Sequence, residues 1–353
     1  MTPGHDPGHA PAPPVGFTWD DYLERLVAAA GGWTALADEL SRRARGADDL
    51  PVDLATVERG LRRLAGRGNR PGGQYGRWLL RHFGVPEDVE AWARWLAQYH
   101  SRFADMPARL RLEQLRLWDR PPFIESRLAA WIHLGLASVH LRMRAVDLGR
   151  HRLAMAERGA ERAGPAAGVE VALLAAYLAT DDGERTRAEQ ELDRAERLLA
   201  GAGANGISAA DAACLEARLV GQRAYHLTKP EGGRPPDLVG ARALFERIAE
   251  DPALPFVCFR RANGLAYCTW KLGDREGAIE LARQAADHAG DGGLVRFRVM
   301  ALALLARIVG EPEAAAVRAR AERLAQLIDD DDLVERVRPR PPSAAGRTLS
   351  DKG

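Results

Sequence analysis

Lysine is nearly missing from this chain: only Lys229, Lys271 and Lys352 occur among 50 Lys and Arg residues. Arginine therefore carries the positive charge, against a background rich in Ala, Arg, Gly and Leu. An arginine cluster has to stand out from that background before it means anything. Cysteine is scarce as well. Cys214, Cys258 and Cys268 are odd in number, no CxxC occurs, and all three lie in apolar stretches. This usage argues against a disulfide framework and predicts buried free thiols in a reducing cytoplasm. No apolar run approaches the ~18 residues that cross a bilayer, so no membrane partner is expected. The opening MTPGHDPGHAPAPPVG lacks the apolar core of a signal peptide.

Sequence signals for chemistry are also few. Walker A, HExxH and GxSxG do not occur. GAGANG at 201–206 fits GxGxxG, but an Arg/Leu helix precedes it where a dinucleotide site needs a strand, so it reads as a loop between repeats. His5 and His9 sit in a Pro/Gly leader without the fixed geometry of a metal site. Asp329–Asp332 has no turn glycine and reads as a solvated acidic patch. His133, His140 and His226 lie on apolar helices, as core or groove histidines do. No carboxylate dyad is visible. No catalytic residue, metal ligand or cofactor is assigned, and the chain reads as a non-enzyme.

What is present is helix. A length of 353 residues suggests two domains, and 46% hydrophobic with 28% charged residues is ordinary globular composition. The net charge of +1 excludes no partner. Residues 1–16 and 336–353 are Pro-rich and read as a disordered leader and tail. Between 17 and 84, four apolar stripes at helical spacing predict a small bundle. Thr18 caps the first helix, whose stripe is Tyr22, Leu23, Leu26, Val27 and Ala30, and Gly31-Gly32 ends it. The second runs from about Thr34 through Leu36, Ala37 and Leu40. A polar loop, SRRARGADDLPV, follows. Asp53 opens the third, with Leu54, Val57, Leu61 and Leu64 inward. The fourth, from about Gln74 to Phe83, buries Tyr75, Trp78 and Leu79.

The second and third helices, TALADELS and DLATVERGLRRLAGRG, resemble the helix-turn-helix of bacterial regulators of the xenobiotic-response-element type. In that resemblance Ala37 is the small residue at the helix crossing, and Val57 anchors the recognition helix. The departure is the connection, some ten residues longer than the family's turn. Ser41 also stands where a glycine is usual. On the third helix Arg59, Arg62 and Arg63 project opposite the apolar stripe, with Arg67, Asn69 and Arg70 flanking and Arg77 and Arg81 beyond. From Val57 to His82 the only acid is Glu58. Guanidinium forks on such a face suit phosphates and guanine edges. A plain solvated face is the first alternative, and a face that meets an anionic protein the second.

Residues 85–120 predict two connecting helices with an aromatic stripe of Trp92, Trp95, Leu96, Tyr99 and Phe103, and Pro121-Pro122 is the expected domain boundary. Residues 121–335 alternate helix, turn and helix. Gly273-Asp274 is the tightest turn, with Ala266 before it and Ala278 and Ala285 after. This stretch resembles a tetratricopeptide array, an α-solenoid of helical hairpins. The resemblance implies repeat-packing roles for Ala266, Ala278 and Ala285; for Ala176, Ala188 and Ala195; and for Ala303 and Ala315 in the last repeat. Ala241, Phe245 and Ile248 match one helix of the third. The spacing is irregular, and loops such as TKPEGGRPPD hold the excess. Stacked hairpins share one core and leave a groove along their first helices. The expectation is thus an all-α protein: a helix-turn-helix-like bundle, then a tetratricopeptide-like solenoid. As such regulators do, it would bind DNA, sense a peptide or protein in its groove, and form a homodimer. An adaptor that binds only proteins is the alternative.

Overall fold

The computed structural model describes residues 17–46, 49–68, 70–202, 206–230 and 235–338. The leader at 1–16, Asn69, and the tail from 339 lie outside them. Among the described residues the chain is all-α, with 17 α-helices and no strand.

The chain divides into two compact units. The first comprises Met1–Ala104, Arg109–His140 and Val146–Ser208; the second, Asp105–Ala108, Leu141–Ala145 and Ala209–Gly353. The boundary expected at Pro121-Pro122 falls inside the first unit. Phe123, just after it, packs edge-on against Phe17 at 5.0 Å and stacks near Trp19 at 6.4 Å. The prolines turn the chain within an aromatic core rather than between domains.

In the first unit, α1 (Trp19–Ala30) opens at Thr18, whose hydroxyl accepts from Asp21 N, and ends at left-handed Gly31. Next come α2 (Trp33–Arg43), α3 (Leu54–Ala65) and α4 (Gly73–His82). The loop expected from Ser41 begins only after Arg43. Ser41 Oγ donates to Ala37 O, and Glu39 pairs with Arg43 one turn on, so the last turn stays helical. Then α5 (Glu87–Ala97) and α6 (Ala108–Trp118) follow. The stripe of α5 is inward at Trp92 and Leu96, and Phe103 packs on Trp92 and Trp95. Two hairpins complete the unit, α7 (Ala129–Arg142) with α8 (Val146–Ala163) and α9 (Pro165–Asp181) with α10 (Arg185–Gly201). Gly159 lets α8 approach the backbone of α7 at Ala130. Ala176, Ala188 and Ala195 are fully buried.

The second unit holds α11 (Ala209–Leu227), α12 (Leu238–Glu246), α13 (Pro255–Lys271), α14 (Arg275–Asp291), α15 (Val295–Ile308), α16 (Glu313–Leu327) and α17 (Asp331–Val337). Consecutive helices from α11 to α17 pack on one another, and α11 also touches α13, as α13 touches α15. The helix α17 extends past residue 335, so the tail begins later than expected. Gly273 turns the chain at φ 103, and Asp274 caps α14. Ala266, Ala278 and Ala285 have no exposed surface, and Gly264 makes room for the Phe245 ring.

The last hairpin corrects the sequence reading. Ala303 is half-buried and Ala315 exposed; Ala314, Ala321 and Ala325 are the buried small residues of α16. The turn differs here. Gly183 and Gly273 take left-handed backbone, and the next helix starts two residues later; Gly310 does not, and α16 starts at Glu313. The buried alanine lies four residues after the glycine instead of five, one step and about 100° back around the helix.

Candidate nucleic-acid interface

The α3 helix is amphipathic. Asp53 caps it by accepting from the main-chain N–H of Ala55 and Thr56. These bonds, with that from the Thr56 hydroxyl first, hold the Asp53 carboxyl below its ordinary range. Val57 and Leu61 are fully buried, as are Leu36, Ala37 and Leu40 on α2. Gly60 sits in mid-helix because the Tyr75 ring occupies the space its Cβ would need, and Tyr75 OH donates to Thr56 O at 3.3 Å. The α4 helix thus backs α3 from inside and leaves the opposite face outward.

That outward face carries the arginines. Arg59, Arg62, Arg63, Arg67 and Arg70 are all exposed; Asn69 lies outside the described residues. They are not equivalent. Arg62 pairs with Glu58 at 2.7 Å and lies over the Trp33 ring at 4.9 Å. Glu58 also accepts from the Thr34 hydroxyl at 2.8 Å. The Arg62 and Thr34 hydrogen bonds depress the Glu58 pKa and fix the start of α2 on the middle of α3. Arg59 donates to Thr56 Oγ1 and reaches Asp53 at 3.8 Å. Arg63 bonds only to the carbonyl of Arg59, and no acid pairs with it among the described residues. Arg67 donates to Pro71 O at 3.0 Å. Farther on, Arg77 is paired with Glu125, so the positive region does not extend through α4 as a free run.

The turn after α3 is set by a residue that the sequence reading passed over. Trp19 accepts this segment through its main chain and indole: Trp19 N donates to Gly68 O at 2.9 Å, and its Nε1 donates to Arg70 O at 2.8 Å. Gly72 and Gly76 lie so close to the ring that a Cβ at either would clash with it. The signal was the glycine pair in RPGGQYG, legible only once a ring is known to lie across it.

The buried polar groups differ from the sequence expectation in one place. Asp330, read as part of a solvated acidic patch, has no exposed surface. In the second unit it meets Arg142 at 3.2 Å and Arg296 at 3.3 Å and caps α17 through Leu333 N. Asp105 pairs with the same Arg142 at 3.3 Å and accepts from Arg296 N. Two carboxylates and two guanidiniums therefore neutralise one another out of water. In the first unit Arg152 holds Asp119 through two bonds, 2.8 and 2.6 Å, and donates to His133 Nδ1 at 3.2 Å. Burial, then the Arg152 charge, lowers the His133 pKa to about 4. The three thiols are buried and form no disulfide, and burial raises Cys268 to about 11. Of the segment read as GxGxxG, Gly201 ends α10 and residues 203–205 lie outside the described residues. No group of three metal-ligating side chains occurs among the described residues, and no described helix is long and apolar enough to cross a membrane. Comparison of the chain with protein-family models, with curated proteins and with solved structures finds no match.

Proposed function

We propose that the chain is a cytoplasmic transcriptional regulator that binds duplex DNA through α3, while its helical hairpins bind a peptide or protein. One observation carries this reading. Arg59, Arg62 and Arg63 stand exposed on a helix whose inward face is locked by Val57, Leu61 and the Tyr75 ring at Gly60. A rigid helix with an outward guanidinium face is what a DNA groove accepts. The local pairs with Glu58 and Asp53 are solvent-exposed, and phosphates can replace them at small cost.

A protein-only adaptor is the second reading. It draws on the α2–α3 connection, residues 44–53, which is longer than the three or four residues that join a helix-turn-helix. Titration against random-sequence duplex at two salt concentrations separates the two. Neutralising about five phosphates gives a log–log salt slope near −4 to −5, at about 0.9 per phosphate. The regulator reading expects that slope and its loss in R59A/R62A/R63A. Absence of binding at low salt, or indifference to the triple substitution, favours the adaptor.

A further inference from the structure

Two successive hairpins of the second unit repeat a set of residues that their turns do not require. In α11 and just beyond it stand Arg218, Ala224, Tyr225 and Lys229; in α13 stand Arg260, Ala266, Tyr267 and Lys271. Each member follows its counterpart by the same interval; the step i, i+7 keeps arginine and tyrosine on one helix face, and the lysine follows four residues later, at the end of α13 and just past the end of α11. The alanines are fully buried and account for the packing. The tyrosines and lysines are not accounted for in that way. Tyr225 is 47% exposed, Tyr267 is half-buried, and both lysines are exposed. These are the only lysines among the described residues of a chain that otherwise uses arginine.

The two faces adjoin. The Arg260 guanidinium lies against Gly221 of α11, where a Cβ would come within 2.3 Å of it. Lys229 sits over the Tyr225 ring at 4.7 Å, and Lys271 over Trp270 at 4.1 Å. Neither lysine has a carboxylate partner among the described residues. Charge is sorted by helix. The α13 helix carries Arg260, Arg261 and Lys271 and no acid, whereas α14 beside it carries four acids and two arginines. Asn263, on the same side of α13, has a buried side-chain oxygen with no hydrogen-bond partner among the described residues.

We propose that this face of α11 and α13 binds an acidic peptide segment, with Lys229 and Lys271 pairing its carboxylates. The assignment rests on the peptide-sensing half of the function proposed above and gives its ligand a charge. An acidic peptide fits better than a single-stranded nucleic acid. Ammonium groups already cover faces of Tyr225 and Trp270, which stacked bases would need.

The test uses the full chain and four fluorescein-labelled probes: peptide pools of about twelve residues mixing apolar residues with Asp/Glu, with Asn/Gln, or with Lys/Arg, and an oligothymidylate of equal length. Anisotropy is expected to show tightest binding to the Asp/Glu pool. K229E/K271E is expected to weaken it about tenfold, two exposed pairs being turned from attraction to repulsion. Circular dichroism on the charge-reversed protein confirms the fold, since both lysines are exposed. Acidic-pool binding indifferent to K229E/K271E overturns the proposal. Lysine-dependent preference for the oligothymidylate also overturns it and makes the face a nucleic-acid site. Preference for the Asn/Gln or Lys/Arg pool overturns it while peptide sensing stands. Binding of no peptide pool overturns both.

Discussion

Arginine does opposite work in two regions of this molecule. On α3, Arg59, Arg62 and Arg63 are exposed and lean on neighbours one turn away. In the second unit, Arg142 is 2% exposed, and Arg142 and Arg296 share Asp330 and Asp105. The first set can change partners because water already solvates it. The second cannot, because any partner removed leaves a charge stranded in a low dielectric. The lesson is that a count of arginines says little. What surrounds the guanidinium decides whether it is a ligand contact or a structural member.

The sharpest way to break this contrast is to remove one charge from each set. Asp330→Ala is expected to destabilise the protein by about 3–5 kcal/mol in urea unfolding, as loss of one partner of a buried pair does. Arg62→Ala on α3 is expected to change stability by less than about 1 kcal/mol while weakening duplex binding. Equal costs would erase the distinction. A second, smaller effect concerns buried imidazole. His133 titrates near 4 in the folded chain against about 6.5 unfolded. Above 6.5 both states are neutral and it contributes nothing to pH dependence. Below that the unfolded state binds the proton first, so stability falls toward pH 4, by at most about 1.4 kcal/mol per pH unit. His133→Gln is expected to flatten that slope.

Packing gives smaller and more local effects. Gly264→Ala forces the Phe245 ring aside and is expected to cost about 1–3 kcal/mol. On α16, Ala314→Leu is expected to cost a similar amount and Ala315→Leu to stay within about 0.5 kcal/mol. The pair tests the shifted register of the last hairpin, since the reverse order would restore the reading made from sequence.

Much of the helix pattern was legible because it depends on local rules. Thr18 and Asp53 cap helices where their side chains predict, and Gly31 and Gly273 take the left-handed turn that glycine permits. Alanines at fixed distances from such turns were placed inward correctly at 188 and 278. The same arithmetic failed at 315, where the turn at Gly310 is not left-handed, a difference that residue identity does not encode. The exposed arginine face of α3 was likewise readable from periodicity. Its partners were harder: Trp33 under Arg62, and Glu125 beside Arg77, are contacts between helices. Asp330 was misread for the same reason. Four consecutive aspartates look solvated until two distant arginines are brought to one of them.

Trp19 has one more implication. Its ring lies over Gly72 and Gly76, and its indole N–H is bonded to the carbonyl of Arg70, so it reads the posture of the turn that follows the arginine helix. An unlabelled protein thus contains its own optical gauge. A duplex that grips Arg67 and Arg70 should shift the emission of this indole, and Trp19→Phe should remove that part of the change while leaving any response of Trp33 under Arg62.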